Sequence, residues 1–172
     1  MINTGHSPLS CLAFGPSPQN MYMPGHVKRG RYVLATGHKS GWIRLWDGES
    51  TQIISNLCSH KHKVTGIAFS KRTEDGNPVV ISISSNRELK VWDGEYSGWN
   101  MSCTLNFNSA GVGLPACAIF HPSSKFFAVS GSTRTVEIYN LNSRSVGHYL
   151  NFYQPHWSGF TFYQPHWSGF TS

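Results

Sequence analysis

The densest run of ligand-type side chains is CSHKHK at 58–63, where Cys58, His60 and His62 alternate with other residues. A metal centre needs three or four convergent ligands, and this run holds no carboxylate and two lysines, Lys61 and Lys63, that repel a cation. No metal site is expected there. His156 and His166 each lie two residues before a serine, Ser158 and Ser168. Neither copy carries a carboxylate to orient the imidazole, and no nucleophile turn is present, so no catalytic site is expected. The chain contains neither G-x-x-x-x-G-K-[ST] nor G-x-G-x-x-G, which removes the phosphate-cradling loops and leaves no cofactor to expect. Two groups of residues remain. One is a set of basic and imidazole side chains, His38, Lys39, Lys61, His62, Lys63, Arg87 and Arg134; the other contains the pairs Trp46-Asp47 and Trp92-Asp93.

The elements that position them repeat. GWIRLWDGE at 41–49 and RELKVWDGE at 87–95 share an alternating apolar pair followed by Trp-Asp-Gly-Glu, and RTVEIYNLN at 134–142 is a weaker third copy. The anchors Trp46, Trp92 and Tyr139 are spaced by 46 and then 47 residues, close to the roughly 40–45 residues of one propeller blade. Upstream of each anchor lie two further apolar stretches, beginning near Leu12, Ile67 and Ala118 and near Val33, Val80 and Phe127; a short one follows each anchor. Each unit therefore reads as four short strands, a to d. In 42–46, Ile43 and Leu45 face one way while Arg44 and Trp46 face the other, and GPSP, SKRTEDGNP and HPSS punctuate the strands as turns. Apolar residues on both strand faces suit a sheet stacked between two neighbours. A twelve-stranded sandwich has the same composition, but three copies of one strand order argue for blades. The fold class is all-β: three four-stranded antiparallel blades and an irregular tail.

VLATGHKSGWIRLWD at 33–47 and VVISISSNRELKVWD at 79–93 resemble WD40 repeats. CLAFG at 11–15, the insertion before VLATG, the NLCSHKHKVTGIAFS join, YSGWNM at 96–101 and ACAIFHPSSKF at 116–126 resemble, more narrowly, the WD repeat and SOCS box-containing family over about residues 10–150. That resemblance implies a propeller that recognises substrates of a cullin-type ubiquitin ligase, coupled to elongins and a cullin through a C-terminal SOCS box. A SOCS box begins with a helix bearing Leu and, four residues on, Cys; after residue 140 there are Leu141 and Leu150 and no cysteine. Elongin and cullin are thus expected as partners only if the full gene product adds that box. Three blades are also fewer than the roughly four to eight of closed propellers, so the sequence reads as part of a longer product. The expected organisation is a lead over 1–8, blade one over 9–57 with an insertion in its a–b loop, blade two over 58–106, a degenerate blade three over 107–150, and a tail over 151–172.

WD40 repeats resemble one another in a buried network, in which an Asp seven residues before the Asp of Trp-Asp joins a histidine, a strand-b hydroxyl and the indole. Here that place holds Ser40, Asn86 and Thr133. Only blade two, with His60, Ser82 or Ser84, Asn86 and Trp92, has candidates for every role. The alternative is that these are turn formers with no network.

Connectivity gives the basic residues a common address. In a four-stranded meander the b–c turn and the exit from d emerge at one end, and that end receives His38, Lys39, Lys61, His62, Lys63, Arg87 and Arg134. Asp47, Glu49, Glu74, Asp75, Asp93 and Glu95 fall in the loops of the other end. The expected partner is a protein bearing an acidic or phosphorylated segment, with RNA as the alternative and Trp42, Tyr32 or the aromatics of the tail as stacking surfaces. Loop lysines that merely keep a strand-rich surface soluble are the plain alternative.

The bulk numbers agree with this reading. Fourteen Lys and Arg against eight Asp and Glu give a net charge of +6, and the isoelectric point is near 9.3; both favour an acidic partner. A hydrophobic content of 39% suffices for a folded domain, and no apolar run is long enough for a membrane span. Four cysteines at no regular spacing read as small buried residues in a reducing, intracellular compartment. Residues 152–161 and 162–171 are the same ten letters, FYQPHWSGFT. They read as a recent duplication expected to be disordered, or as an aromatic docking peptide; Pro and Ser-Gly deny them a strand rhythm.

Overall fold

A computed structural model describes residues 7–18, 32–58, 60–71, 77–95, 98–107, 113–143 and 145–151. Most of the lead, most of the blade-one insertion and the duplicated tail lie outside the described residues. Every regular element among the described residues is a strand. The first sheet comprises β1 (Leu9–Pro16), β2 (Tyr32–His38), β3 (Trp42–Asp47) and β4 (Ile53–Cys58). The second comprises β5 (Val64–Phe69), β6 (Val79–Ser84), β7 (Glu88–Glu95) and β8 (Gly98–Asn106). The third comprises β9 (Pro115–Phe120), β10 (Phe126–Gly131), β11 (Thr135–Asn140) and β12 (Ser145–Asn151). Each sheet is an antiparallel meander in sequence order, and the first strands stack in series, β1 on β5 and β5 on β9.

Alternation sorts side chains between the two inter-sheet layers. Ile43 and Leu45 join Val33, Ala35, Val64, Val80, Trp92 and Trp99 between sheets one and two. Ile81, Ile83, Leu89 and Val91 join Phe107, Phe127, Val129 and Tyr139 between sheets two and three. Sheet two is thus apolar on both faces because it is covered on both, as expected of a central blade. Gly15 marks the close approach of sheets one and two, since a Cβ there would lie 2.0 Å from the Phe69 ring.

The three sheets share their irregularities as well as their order. Each c–d pairing shifts register immediately before the anchor aromatic, at Leu45/Trp46, Val91/Trp92 and Ile138/Tyr139. Each a–b pairing slips near the start of strand a, at Leu9/Cys11, Val64/Gly66 and opposite Gly131. A bulge adds a residue and sharpens twist. Its recurrence at matching positions makes Tyr139 the structural counterpart of the two tryptophans, although it shares no Trp-Asp. The cysteines do not all follow the expectation of burial. Cys117 is exposed, because Ala118 and Phe120 are the β9 residues packed against the core and Cys117 and Ile119 point the other way.

Candidate partner-binding face and the polar circuits beneath it

Blade two carries a closed polar circuit. Trp92 Nε1 donates to Ser82 Oγ at 3.0 Å, Ser82 lies 2.9 Å from His60 Nε2, and His60 Nδ1 lies 2.7 Å from Glu88 Oε2. A carboxylate can only accept, so Nδ1 carries the imidazole proton and Nε2 accepts from the serine hydroxyl. Every member is then satisfied with a neutral histidine. Burial lowers the His60 pKa, and the hydrogen bond and charge of Glu88 oppose that shift. The carboxylate is the one sequence reading missed. Asn86 is exposed at the turn and bonds Ser84 Oγ instead, because Glu88, two residues further and on β7 itself, reaches His60. The signal available was an acid on a strand otherwise committed to packing.

Serine, histidine and carboxylate in this order resemble a nucleophilic triad, yet Ser82 is 0% exposed and its oxygen already accepts the indole proton. No substrate carbonyl can reach it. The circuit is structural.

Blade one builds a similar circuit, with indole and hydroxyl at the matching positions but the histidine and its acceptor from different ones. Trp46 Nε1 donates to Thr36 Oγ1 at 2.9 Å, Thr36 lies 3.2 Å from His38 Nε2, and His38 Nδ1 lies 3.0 Å from the Ser7 carbonyl oxygen. Thr36 and His38 are two apart on one strand, hence on one face. His38, which the sequence assigns to the basic loop face, is therefore corrected: it is 1% exposed and committed inside the blade. Asp47 is buried too, and its Oδ1 accepts from Glu49 N, Ser50 N and Ser50 Oγ, closing the c–d turn. Asp93 occupies the matching place at the end of the blade-two run and is half-buried.

Above these circuits the described parts of the loops bond to one another in series, forming a rim. His60 N donates to Gly41 O, so the b–c turn of blade one abuts the linker into blade two. Gly41 sits at φ 89° with its Cβ direction 1.9 Å from His60 O, a contact only glycine permits. Ser85 N donates to Lys63 O, and Arg87 O accepts from Phe107 N. Arg87 Nε donates to Gly113 O, and Leu114 N to Ser132 Oγ, beside the blade-three turn. Lys39, Lys61, His62, Lys63 and Arg134 are exposed along this rim and Arg87 is half-buried. Trp42 is 42% exposed at the start of β3, beside Gly41. Among the described residues no group of three or more His, Cys, Asp or Glu is placed to hold a metal ion. Burial pushes the Cys11 thiol up to about 11, which leaves it unreactive. No helix among the described residues is long and apolar enough to cross a membrane.

Comparison with known proteins agrees with the blade geometry. The WD domain, G-beta repeat family matches residues 1–47. WD repeat and SOCS box-containing protein 1 of Homo sapiens is 30% identical over 139 residues, 76% of this chain and 31% of that protein. Its Danio rerio counterpart is 29% identical over the same shares. Pre-mRNA-processing factor 19 homolog 2 of Arabidopsis thaliana is 32% identical over 115 residues, 66% of this chain and 20% of that protein. The chain thus spans about a third of the length of the first of these relatives. With three serial four-stranded sheets, shared bulges at the anchor aromatics and these matches, the chain is a WD40-repeat protein that resembles part of the WD repeat and SOCS box-containing proteins.

Proposed function

We propose that this chain is a non-catalytic protein-interaction module whose b–c and d–a loop rim holds an acidic or phosphorylated segment of a protein partner. The carrying observation is the rim itself, where Lys39, Lys61, Lys63 and Arg134 stand exposed on loops fastened to one another by main-chain hydrogen bonds. Charge-assisted hydrogen bonds from such groups are about twice as strong as neutral ones, and a fixed array lowers the ordering cost of using them. Similarity to WD repeat and SOCS box-containing protein 1 supports the finer role, substrate recognition for a cullin-type ubiquitin ligase. Elongin and cullin join this account where a SOCS box follows the blades in the full gene product.

RNA is the second reading, favoured by the exposed Trp42 beside the rim and by the pre-mRNA-processing relative. Titrating the full chain with a labelled acidic phosphopeptide and with a labelled single-stranded RNA, each across rising salt, separates the two. The proposal expects saturable peptide binding and only weak RNA binding that vanishes near physiological salt. Tight RNA binding with a steep salt slope and no peptide binding would replace it.

A further inference from the structure

Arg87 differs from the lysines of the rim in being held. The b–c turns of blades one and two close in the same way, Gly41 N donating to His38 O and Arg87 N donating to Ser84 O, both at 3.1 Å. Each closing residue is left-handed, at φ 89° for Gly41 and 68° for Arg87. Glycine adopts that conformation freely and arginine does so against its Cβ, so blade two keeps a strained residue where blade one shows the relaxed choice. Arg87 is also tied down on both sides, its carbonyl accepting from Phe107 N at 2.8 Å and its Nε donating to Gly113 O at 3.2 Å. Its acidic neighbour Glu88 pairs with His60 and Lys90.

We propose that Arg87 is the anion anchor of the rim, its terminal guanidinium nitrogens pairing with two oxygens of a carboxylate or phosphate on the partner's acidic segment. Lys39, Lys61 and Lys63 then act at longer range, raising the rate of encounter. The inference rests on the reading of the rim given above. A planar guanidinium fixed through Nε offers a forked donor pair already oriented, and this forfeits less freedom on binding than a lysine ammonium on a four-carbon stem. Strain retained at a position where glycine would serve points to a role for the side chain itself.

The test uses the full chain and a fluorescein-labelled peptide with two phosphoserines among glutamates, beside its unphosphorylated counterpart, read by anisotropy at low salt. Arg87→Lys keeps the charge and should weaken binding tenfold or more, whereas Lys63→Arg should change it less than twofold. Arg87→Gly should also lose binding while its thermal midpoint holds or rises, because the turn relaxes. A loss on both peptides assigns carboxylate as a sufficient ligand, and a loss on the phosphopeptide alone assigns phosphate. Wild-type affinity in Arg87→Lys, with wild type binding normally, would overturn the anchor and leave the rim standing as a diffuse charged surface. Failure of wild type to bind either peptide would overturn the rim and the anchor with it.

Discussion

Blades two and three have the same strand order and the same bulges but different interiors. In blade two the indole of Trp92, the hydroxyl of Ser82, the ring of His60 and the carboxylate of Glu88 form one chain of donors and acceptors. In blade three Val129 stands where Ser82 stands, each paired with the strand-c residue two before the anchor, Glu137 and Lys90. That hydroxyl is absent from blade three, and the anchor is Tyr139, whose own hydroxyl donates to Glu137 Oε2. Its ring stacks on the directly paired Phe127 at 5.0 Å and 3°. The substitution of anchor and partner is therefore coupled. What it leaves is Glu137, 1% exposed, with Oε1 lacking a hydrogen-bond partner. Around its anchor, blade three satisfies its polar atoms less completely than blade two, whose own buried atom without a partner, Trp99 Nε1, lies on β8 outside the circuit.

The largest effect should come from giving blade two the residue that blade three has. Ser82→Val removes the acceptor of Trp92 Nε1 and the partner of His60 Nε2 together. Each orphaned buried group costs about 1–3 kcal/mol, so a loss of about 2–4 kcal/mol is expected from urea unfolding of the full chain. A change under about 1 kcal/mol would mean that the circuit contributes packing only. Glu88→Gln should cost about 1–2 kcal/mol, since a charge-assisted bond to His60 becomes a neutral one; amide exchange at Val80 and Trp92 would report it.

Burial of the His60 ring makes blade two sensitive to acid, and the Glu88 carboxylate tempers the effect. Burial holds His60 below its ordinary value of 6.5, so the fold keeps the ring neutral while the unfolded chain takes up a proton near pH 6.5. The stabilisation is full above that pH and is lost as pH falls through 6.5 toward the folded value. Stability measured from pH 7.5 to 5 should fall less steeply in His60→Gln than in wild type; parallel curves would contradict the assignment. The smallest effect is expected in blade three. Glu137→Leu removes a buried carboxylate along with the Tyr139 bond, and the two nearly cancel, within about 1 kcal/mol of wild type. A loss of 3 kcal/mol or more would show that Glu137 is as integral as Glu88.

Much of this was legible in the residues. Alternation of Ile43 and Leu45 against Arg44 and Trp46 identified strands, and the spacing of Trp46, Trp92 and Tyr139 identified blades, because both are properties of local periodicity. The circuits were legible only in part. His60, Ser82 and Trp92 were recognisable by type, but Glu88 displaced Asn86 because the turn points Asn86 outward, and side-chain direction at a turn depends on backbone geometry that residue type does not fix. His38 was misplaced for a related reason: a charged or polar residue at the end of a strand reads as loop, whereas its period-two partner Thr36 draws it inside. The rim itself followed from meander connectivity, which assigns loops to ends without any knowledge of contacts.

If the b–c and d–a end is the proposed binding surface, charge reversal at the two ends of the same sheets should separate them, comparing Lys39→Glu, Lys61→Glu and Lys63→Glu together against Lys71→Glu and Lys125→Glu, which are exposed at the a–b end. With a labelled acidic phosphopeptide at low salt, at least a tenfold loss of affinity is expected for the first set and less than a twofold change for the second. Equal losses from both ends would contradict the proposal.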